Sequence, residues 1–544
     1  MTGSPVLPKR TVGLTLLLSV FTLPGAAWAD KPCSPDGPRD VGNRRQLFID
    51  NRFIADAFNV ELFVHRPVKT GEMTINVDKP WEVGGIGPYS SVLQEGDTYH
   101  MWYHAMTSVQ WHIDKFAGAI CYARSKNGIT WEKPNLGVVE FDGGKDNNIV
   151  LGQGAGGVRI GQDGGMVFID PNAPADEKYR MFIAHKESGN GLHIFSSPDG
   201  IRWKLTHKSV LTFRPETRGH HLDSQNVLFW DDSIGKYVFY GRLNLGVGNT
   251  QARAAGSQGR SIARGEASDL KSFPVVQDMP IVLYPDRFDL WHGQTAVVDY
   301  YMSAAVKYPW AADAYFMFPT AYYHYIGGVL PEFPDKVPTN AGPLDTQFAA
   351  SRDGIIWNRY DRQPFVPLGM KTEFDWANTR TIHGLVSSVD GRNLYMYYRG
   401  GDWLHGWDRN EENKALLSGA GLGADRNIAV LSRVVLRMDG FVSARGAYTG
   451  GSFLTPKLKF SGSKLVLNID TSAAGVAKVE ILDENGLWIE DFSQDKCDLI
   501  HTANDVNRVV SWNGNSDLSR LAGKTVRLRF FLTNCDLYAF QFKD

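Results

Sequence analysis

The side chains best equipped for chemistry crowd the beginnings and ends of apolar runs. Gly219-His220-His221-Leu222-Asp223-Ser224-Gln225-Asn226, directly ahead of Val227-Leu228-Phe229-Trp230, is the densest cluster. Asp163 stands three residues before Met166-Val167-Phe168-Ile169, Arg380 and His383 precede Leu385-Val386-Ser387-Ser388, and Glu82 follows Trp81 ahead of Tyr89. His104, His185 with Glu187, Arg242 with Asn244, His324, and Arg399 with Asp402 close aromatic runs, while Asp345 and Asp425 with Arg426 open others. Two carboxylates facing each other across a pocket do acid and base work when their surroundings push their pKa values apart, as cleavage of a glycosidic bond requires. The same side chains also read as a polar plug or as surface charges, because unpaired polar groups on an axis must be hydrated or ligand-bound.

Other chemistries find less support. His220-His221-x-Asp223 lacks the spacing of a zinc site, so no metal ligand is assigned, and a structural Ca²⁺ in a channel is left open. Gly152-Gln153-Gly154-Ala155-Gly156-Gly157 lacks the Lys-Ser/Thr of a phosphate loop, and no Gly-x-Ser-x-Gly marks a serine nucleophile. No cysteine sits in a Cys/His signature.

The elements that must position these residues are set by a repeated phrase. Ser125-Lys126-Asn127-Gly128-Ile129-Thr130-Trp131 returns as Ser197-Pro198-Asp199-Gly200-Ile201-Arg202-Trp203 and as Ser351-Arg352-Asp353-Gly354-Ile355-Ile356-Trp357. Asn-Gly or Asp-Gly between apolar runs predicts a type I′ hairpin, with both central residues at positive φ, followed by a strand with a buried Trp. A second series agrees: aromatic strands around Tyr99, Tyr179, Tyr237, Tyr315 and Tyr395 recur at steps of 80, 58, 78 and 80 residues. Each has an inner strand ahead of it and a third strand behind it; in the middle repeat the hairpin is degraded to Glu266-Ala267-Ser268-Asp269. Four-stranded units at this spacing predict a propeller of five blades. In that fold the beginnings of the inner strands, the ends of the aromatic strands and the beginnings of the third strands meet on one axial face.

The chain of 544 residues is 43% hydrophobic and 21% charged, with 56 glycines and a formal net charge of −2, so charge gives no reason to expect nucleic acid. Lys9-Arg10, the apolar run from Val12 to Leu23 and Ala27-Trp28-Ala29 predict a secretory signal over residues 1–29, too short for a membrane span. A secreted or periplasmic, non-membrane protein is expected. Of four cysteines, Cys497 and Cys535 could pair, and Cys33 and Cys121 are expected unpaired. From Gly446 the repeat gives way to clean alternation, as in Lys464-Leu465-Val466-Leu467-Asn468-Ile469 and Thr525-Val526-Arg527-Leu528-Arg529-Phe530-Phe531. The expected fold is all-β: a five-bladed β-propeller over residues 30–445, its ring closed by the strand pair at Gln46–Asp50 and Val60–His65, then a C-terminal β-sandwich over 446–544.

The hairpins, the aromatic strands, Phe141-Asp142-Gly143-Gly144-Lys145-Asp146-Asn147-Asn148 and Asp223-Ser224-Gln225-Asn226-Val227 resemble the secreted five-bladed propeller proteins of planctomycete-type bacteria, which are similar to glycoside hydrolase families 32 and 43. The resemblance implies a glycosidase with Asp163 as transition-state stabiliser or pKa modulator and Asp223 where that family carries a general-acid Glu. The first inner strand begins Gly87-Pro88-Tyr89-Ser90-Ser91, without the expected Asp, so Glu82 or Glu187 is expected to serve as base. His104, His221, Gln225, Arg242, Asp345, Arg380, His383 and Arg399 are expected to bind a carbohydrate through its hydroxyls or an anionic substituent such as sulfate or uronate. No cofactor is implied. The alternative is a non-catalytic carbohydrate-binding propeller.

Overall fold

The computed structural model describes residues 37–108, 118–152, 160, 165–184, 191–214, 222–246, 257–286, 288–289, 296–325, 341–407, 411–419 and 429–544. The leader, Cys33, Asp163, Glu187 and His221 lie outside the described residues. What is described is all-β, with one α-helix, Glu411–Gly419, among the described residues. No described helix is long and apolar enough to cross a membrane.

Three antiparallel four-stranded sheets follow one another along the chain. The first holds Ser91–Glu95, Thr98–Met106, Gly118–Ser125 and Ile149–Gly152. The second holds Met166–Ile169, Tyr179–Ile183, Leu192–Ser197 and Lys204–Leu211. The third holds Val227–Asp231, Lys236–Asn244, Arg260–Ala267 and Ile281–Leu283. In the fourth repeat the inner strand breaks into Ala296–Tyr300 and Val306–Lys307, and the aromatic strand into Tyr315–Met317 and Thr320–Tyr325, each pairing separately. A parallel contact of Leu344 with Asn378 joins the fourth repeat to the fifth, where Asn393–Gly401 pairs Ala429–Arg437 and that strand pairs Val68–Ile75. Residues of the inner strands of all five repeats, among them Leu93, Phe168, Phe229, Val306 and Ser387, line one cavity of about 790 Å³.

Successive sheets are joined by side chains. The Tyr179 hydroxyl donates to Glu95, that of Tyr237 to Asp170 at 2.9 Å, that of Tyr315 to Asp231 at 2.5 Å, and that of Tyr99 to the Ser387 carbonyl at 2.7 Å. Four of the five tyrosines that mark the sequence repeat thus reach the end of the preceding inner strand. Tyr395 breaks the series and lies under the Arg433 guanidinium, 4.4 Å away.

The repeated phrase forms a second set of joints. Its Ser Oγ accepts from the Gly N–H at 2.9 Å in all three copies, and the Asn or Asp Oδ1 accepts from the next two amides. Only the glycines take positive φ, +68°, +73° and +72°, so the loops are side-chain-capped turns rather than the expected type I′ hairpins. The Gly carbonyl, turned outward, accepts from an aromatic of the preceding sheet: Gly128 from Tyr397 at 2.5 Å, Gly200 from Trp102 at 2.6 Å, Gly354 from Tyr240 at 2.6 Å. Trp131, Trp203 and Trp357 pack edge-on against those same rings, at 5.6, 6.5 and 6.0 Å. They are half-buried rather than buried, with one face spent on the joint.

The C-terminal region forms a seven-stranded and a six-stranded sheet around one core that includes Phe453, Leu465, Val479, Phe530 and Phe540. The division at residue 445 is not where strand pairing puts it. Arg39–Gly42, Gln46–Leu47, Asp56–Phe58 and Val60–Val64 pair with C-terminal strands, and only Val68–Ile75 completes the fifth repeat. Phe48 and Phe53 explain this, because both rings pack on Phe540. Cys497 and Cys535 are separate buried thiols, as is Cys121.

The joint can be tested at Gly200, where an added Cβ would lie 2.5 Å from the Trp102 ring, against Gly235, where it would meet nothing within 4 Å. Both have positive φ, +73° and +64°, so each Ala substitution carries a backbone cost of about 1–2 kcal/mol. Gly200→Ala is expected to lose about 1–3 kcal/mol more from overpacking, read from chemical denaturation. Equal losses at the two positions would show that the joint adds nothing.

Candidate active site

The inner strands converge on Ser90. Its carbonyl accepts from the Gln225 side-chain amide at 2.6 Å and from the His383 backbone N–H at 3.1 Å, while Ser91 Oγ accepts from the Val167 N–H at 3.0 Å. The first, second, third and fifth repeats are thereby tied together on the axis. Gln225, expected to bind substrate, is buried and spends its donor on this link. His383 is likewise built into the link through its backbone; burial pushes its ring down to about 4, and the residue is among those that line the 790 Å³ cavity.

On the near side the axis carries arginines and tyrosines. Tyr301 is the hub: Arg242, Arg260 and Arg380 lie with their guanidinium carbons 4.9, 5.6 and 5.7 Å from its ring. His405 packs edge-on to Tyr301 and Tyr322 at 5.0 Å each, and Tyr89 joins the same cluster. Arg380 Nη2 donates to His405 Nδ1 at 3.2 Å. Burial, and then the charges of Arg380, Arg260, Arg399 and Arg242, hold His405 well below the usual histidine range, so it is neutral with its proton on Nε2. Arg399 donates from Nη1 to Asn378 Oδ1, and Asn378 Nδ2 donates to the Trp403 carbonyl.

The sequence reading missed what orients Arg260. Asp299, inside the apolar strand Ala296–Tyr300, accepts from Ser257 Oγ at 2.6 Å, from the backbone amides of Gln258 and Arg260, from the Arg260 guanidinium and from His324 Nε2 at 3.1 Å. Burial works to raise its pKa, but the His324 hydrogen bond, the Arg260 and His324 charges and the Ser257 hydroxyl overcome it and hold the carboxyl below the usual range. A fully buried Asp in an otherwise apolar strand was the available signal.

The expected acids separate. Asp223 reaches the arginine cluster, its carboxylate 3.5 Å from Arg242, with 22% of its side chain exposed. It is the centre of a three-residue turn closed by the Ser224 N–H to the Leu222 carbonyl at 2.7 Å, and Leu222 is held at φ +64°, a strained conformation for that residue. Glu82 does not face the axis cluster. It is fully buried, accepts from Tyr103, from Lys133 at 2.8 and 2.9 Å and from the backbone amides of Asp78 and Lys79, and so anchors the turn at 80–82. Both of its oxygens are committed to these partners, away from the arginines that surround Tyr301.

Asp345 accepts from Gln347 at 2.8 Å and Tyr323 at 3.3 Å, and burial pushes it up to about 7. In the pleat it alternates with Leu344, which packs with Tyr301 and Tyr322, so it projects from the opposite face of the sheet and not toward the arginines. His104 is also a filler: it lies between Gly87 and Gly118, where added Cβ atoms would come within 2.2 and 2.4 Å of its nitrogens, and burial pushes it down to about 4. Tyr89 stacks beside it, 6.5 Å away. Of the expected ligands, Arg242 and Arg380 are buried against the Tyr301 ring, and Arg399 stands opposite Arg380 in the strand pairing. Among the described residues no group of three or more His, Cys, Asp or Glu is placed to hold a metal ion.

No family model matches the chain. Over 116 residues it is 27% identical to the uncharacterized protein Rv1502 of Mycobacterium tuberculosis strain H37Rv, covering 21% of this chain and 33% of that protein. The uncharacterized protein MT1551 of strain CDC 1551 matches over the same length. The chain thus spans about a third of the length of these curated relatives. Its neighbours among solved structures include glycoside hydrolases. A thermostable family-43 glycoside hydrolase is 14% identical with TM-score 0.40, covering 66% of this chain and 93% of that one. A family 43 arabinoxylan arabinofuranohydrolase from Bacillus subtilis is 13% identical with TM-score 0.36, covering 84% and 96%. The α-L-arabinofuranosidase of Podospora anserina is 13% identical with TM-score 0.37, covering 68% and 96%.

Asp345, beside the site, gives the fold a pH signature. Its carboxyl is at about 7 in the fold against an ordinary 3.8, so the folded state holds a proton that the unfolded chain has lost between those values. The stability that goes with the neutral group is present in full below pH 4 and is lost as pH rises through 7, on the order of 1.4 kcal/mol per pH unit at most. Asp345→Asn is expected to remove this loss. Its unfolding free energy relative to wild type should climb from pH 4 to pH 8; a difference independent of pH would place the carboxyl in a solvated setting.

Proposed function

We propose that the protein is a secreted or periplasmic carbohydrate-active enzyme, a five-bladed β-propeller with a β-sandwich, that hydrolyses a glycosidic bond at its axial mouth. The observation that carries this reading is the placement of Asp223, a carboxylate partly open to solvent, at the edge of the Tyr301 arginine cluster, where inner strands converge. The propeller reading is supported by the cavity shared by five inner strands and by the tyrosine links between successive sheets. Export is supported by the leader-like sequence of residues 1–29.

The ion pair with Arg242 suits a carboxylate that works in its charged form, as base or as stabiliser of an oxocarbenium-like transition state. Proton donation then falls to a second acid. Asp163 and Glu187, which the sequence offered as tuning acid and base, are the candidates for it here: Asp163 lies three residues before Met166, much as Asp223 lies four before Val227. Arg242, Arg380 and Arg399 would orient the substrate.

A second reading is a non-catalytic carbohydrate-binding propeller. It is favoured by the engagement of the described axial carboxylates in ion pairs, Asp223 with Arg242 and Asp299 with Arg260 and His324.

Incubation of the purified protein with plant and algal oligosaccharides, followed by assay of released sugar, tests the first reading. Asp223→Asn is expected to lower turnover by about 10²–10⁴-fold without lowering the unfolding midpoint. Full turnover in that variant removes Asp223 from the mechanism, and saccharide binding with no product from any substrate favours the second reading.

A further inference from the structure

Within the axial cluster Arg380 has no carboxylate of the described residues beside it. Arg380 is only 6% exposed, yet no Asp or Glu among the described residues lies within ion-pair distance of it. Its hydrogen bond goes to the neutral His405, and its Nε has no hydrogen-bond partner among the described residues. Asp299 is spent on Arg260, and Asp223 faces Arg242. A buried cation without a counter-charge costs several kcal/mol.

The backbone makes the imbalance worse. Arg380 stands directly opposite Arg399 in the antiparallel pairing of Asn378–Thr381 with Asn393–Gly401. Like charges directly opposite on paired strands repel. Arg260, whose Nε is also unpartnered, and Arg242 stand over the same Tyr301 ring as Arg380. The ligand that answers this arrangement is an anion with planar or trigonal oxygens, which forked guanidinium donors match better than they match hydroxyls.

We propose that the axial mouth is an oxyanion receptor, so that the saccharide carries a carboxylate or a sulfate ester, bound by Arg380 with Arg260 and Arg242 beside it. His405 Nε2–H supplies a further donor on the same cluster. The inference rests on the axial mouth being the saccharide site, and it narrows the substrate class to acidic glycans.

Thermal unfolding of the full-length protein tests it with sodium sulfate, sodium galacturonate and neutral galactose, each against sodium chloride at matched ionic strength. Sulfate or galacturonate is expected to raise the wild-type midpoint by a few degrees and galactose to leave it unchanged, because only a ligand that binds the folded state adds stability. A response to sulfate alone assigns a sulfated glycan, and one to galacturonate alone a uronate. Arg380→Met is expected to abolish the increment while melting no lower than wild type in chloride, since it removes an unbalanced buried charge. Arg380→Lys, which keeps the charge without the fork, is expected to show a reduced increment should the Met variant not fold. The proposal is overturned by the absence of any anion-dependent increment, by an increment of wild-type size in the variants, or by a loss of several degrees in Arg380→Met in chloride. An increment without cleavage of any oligosaccharide removes hydrolysis and keeps the receptor, and cleavage without an increment does the reverse.

Discussion

Sheets that follow one another without sharing a ladder depend on side chains for their cohesion, and here the dependence falls on one recurring contact. A glycine carbonyl in a capped turn accepts a hydrogen bond from an aromatic side chain of the preceding sheet, and the tryptophan three residues later packs against the same ring. Four of the five fixed residues of the phrase Ser-x-Asn/Asp-Gly-Ile-x-Trp have a place in that contact. Ser and Asn or Asp satisfy the turn's amides, Gly turns its carbonyl outward at positive φ and lets the ring approach, and Trp supplies the second surface. A buried hydrogen bond of about 1 kcal/mol and an aromatic pair of about 0.5–1.5 kcal/mol are modest alone. Repeated around successive sheets, together with the tyrosine links at the same end of the strands, they fix the angle at which each sheet meets the next.

That angle brings the beginnings of the inner strands together at Ser90 and places the arginines around Tyr301. The peripheral joints and the axial cluster belong to different economies of stability. The joints are made of neutral hydrogen bonds and ring contacts, whereas the axis gathers guanidiniums, with Arg380 standing directly opposite Arg399. Asp299 shows how the fold tolerates this. By accepting from two backbone amides, a serine, a histidine and Arg260 it holds one guanidinium in place and spends its own charge there, leaving Arg380 unmatched.

What the sequence made legible was what local chemistry repeats. The tyrosine series found the aromatic strands because four of the five tyrosines have the same task, and the strand register carried Asp223, Arg242 and Arg380 to one cluster. Residues whose roles are set by distant partners were illegible or misread. Glu82 reads as a spare acid near the first inner strand, but Lys133 and Tyr103, far along the chain, make it an anchor. Asp345 occupies the expected strand and projects from the wrong face of it, because alternation gave the axial side to Leu344. The first described strands alternate as expected of a closing pair, yet they pair with C-terminal strands, a choice made by Phe48 and Phe53 against Phe540. Turn type was misjudged for a related reason: the Asp-Gly signal is shared by hairpins and by capped turns, and only the serine two residues upstream separates them.

The separation of cohesion from chemistry also explains why the arginine cluster can sit in the interior at all. An isolated buried guanidinium would draw in water or move its strand, because the desolvation cost is several kcal/mol and a lone strand has little to oppose it. Here the strand that carries Arg380 is held by Asn393–Gly401 on one side and by Leu344 on the other, and His383, three residues on, is pinned by Ser90. The backbone has no freedom to carry the charge away, and the side chain has no carboxylate to fold onto. The unfavourable electrostatics at Arg380 are therefore held in place by the way the surrounding sheets are joined, and on the reading proposed above a ligand of opposite charge relieves them.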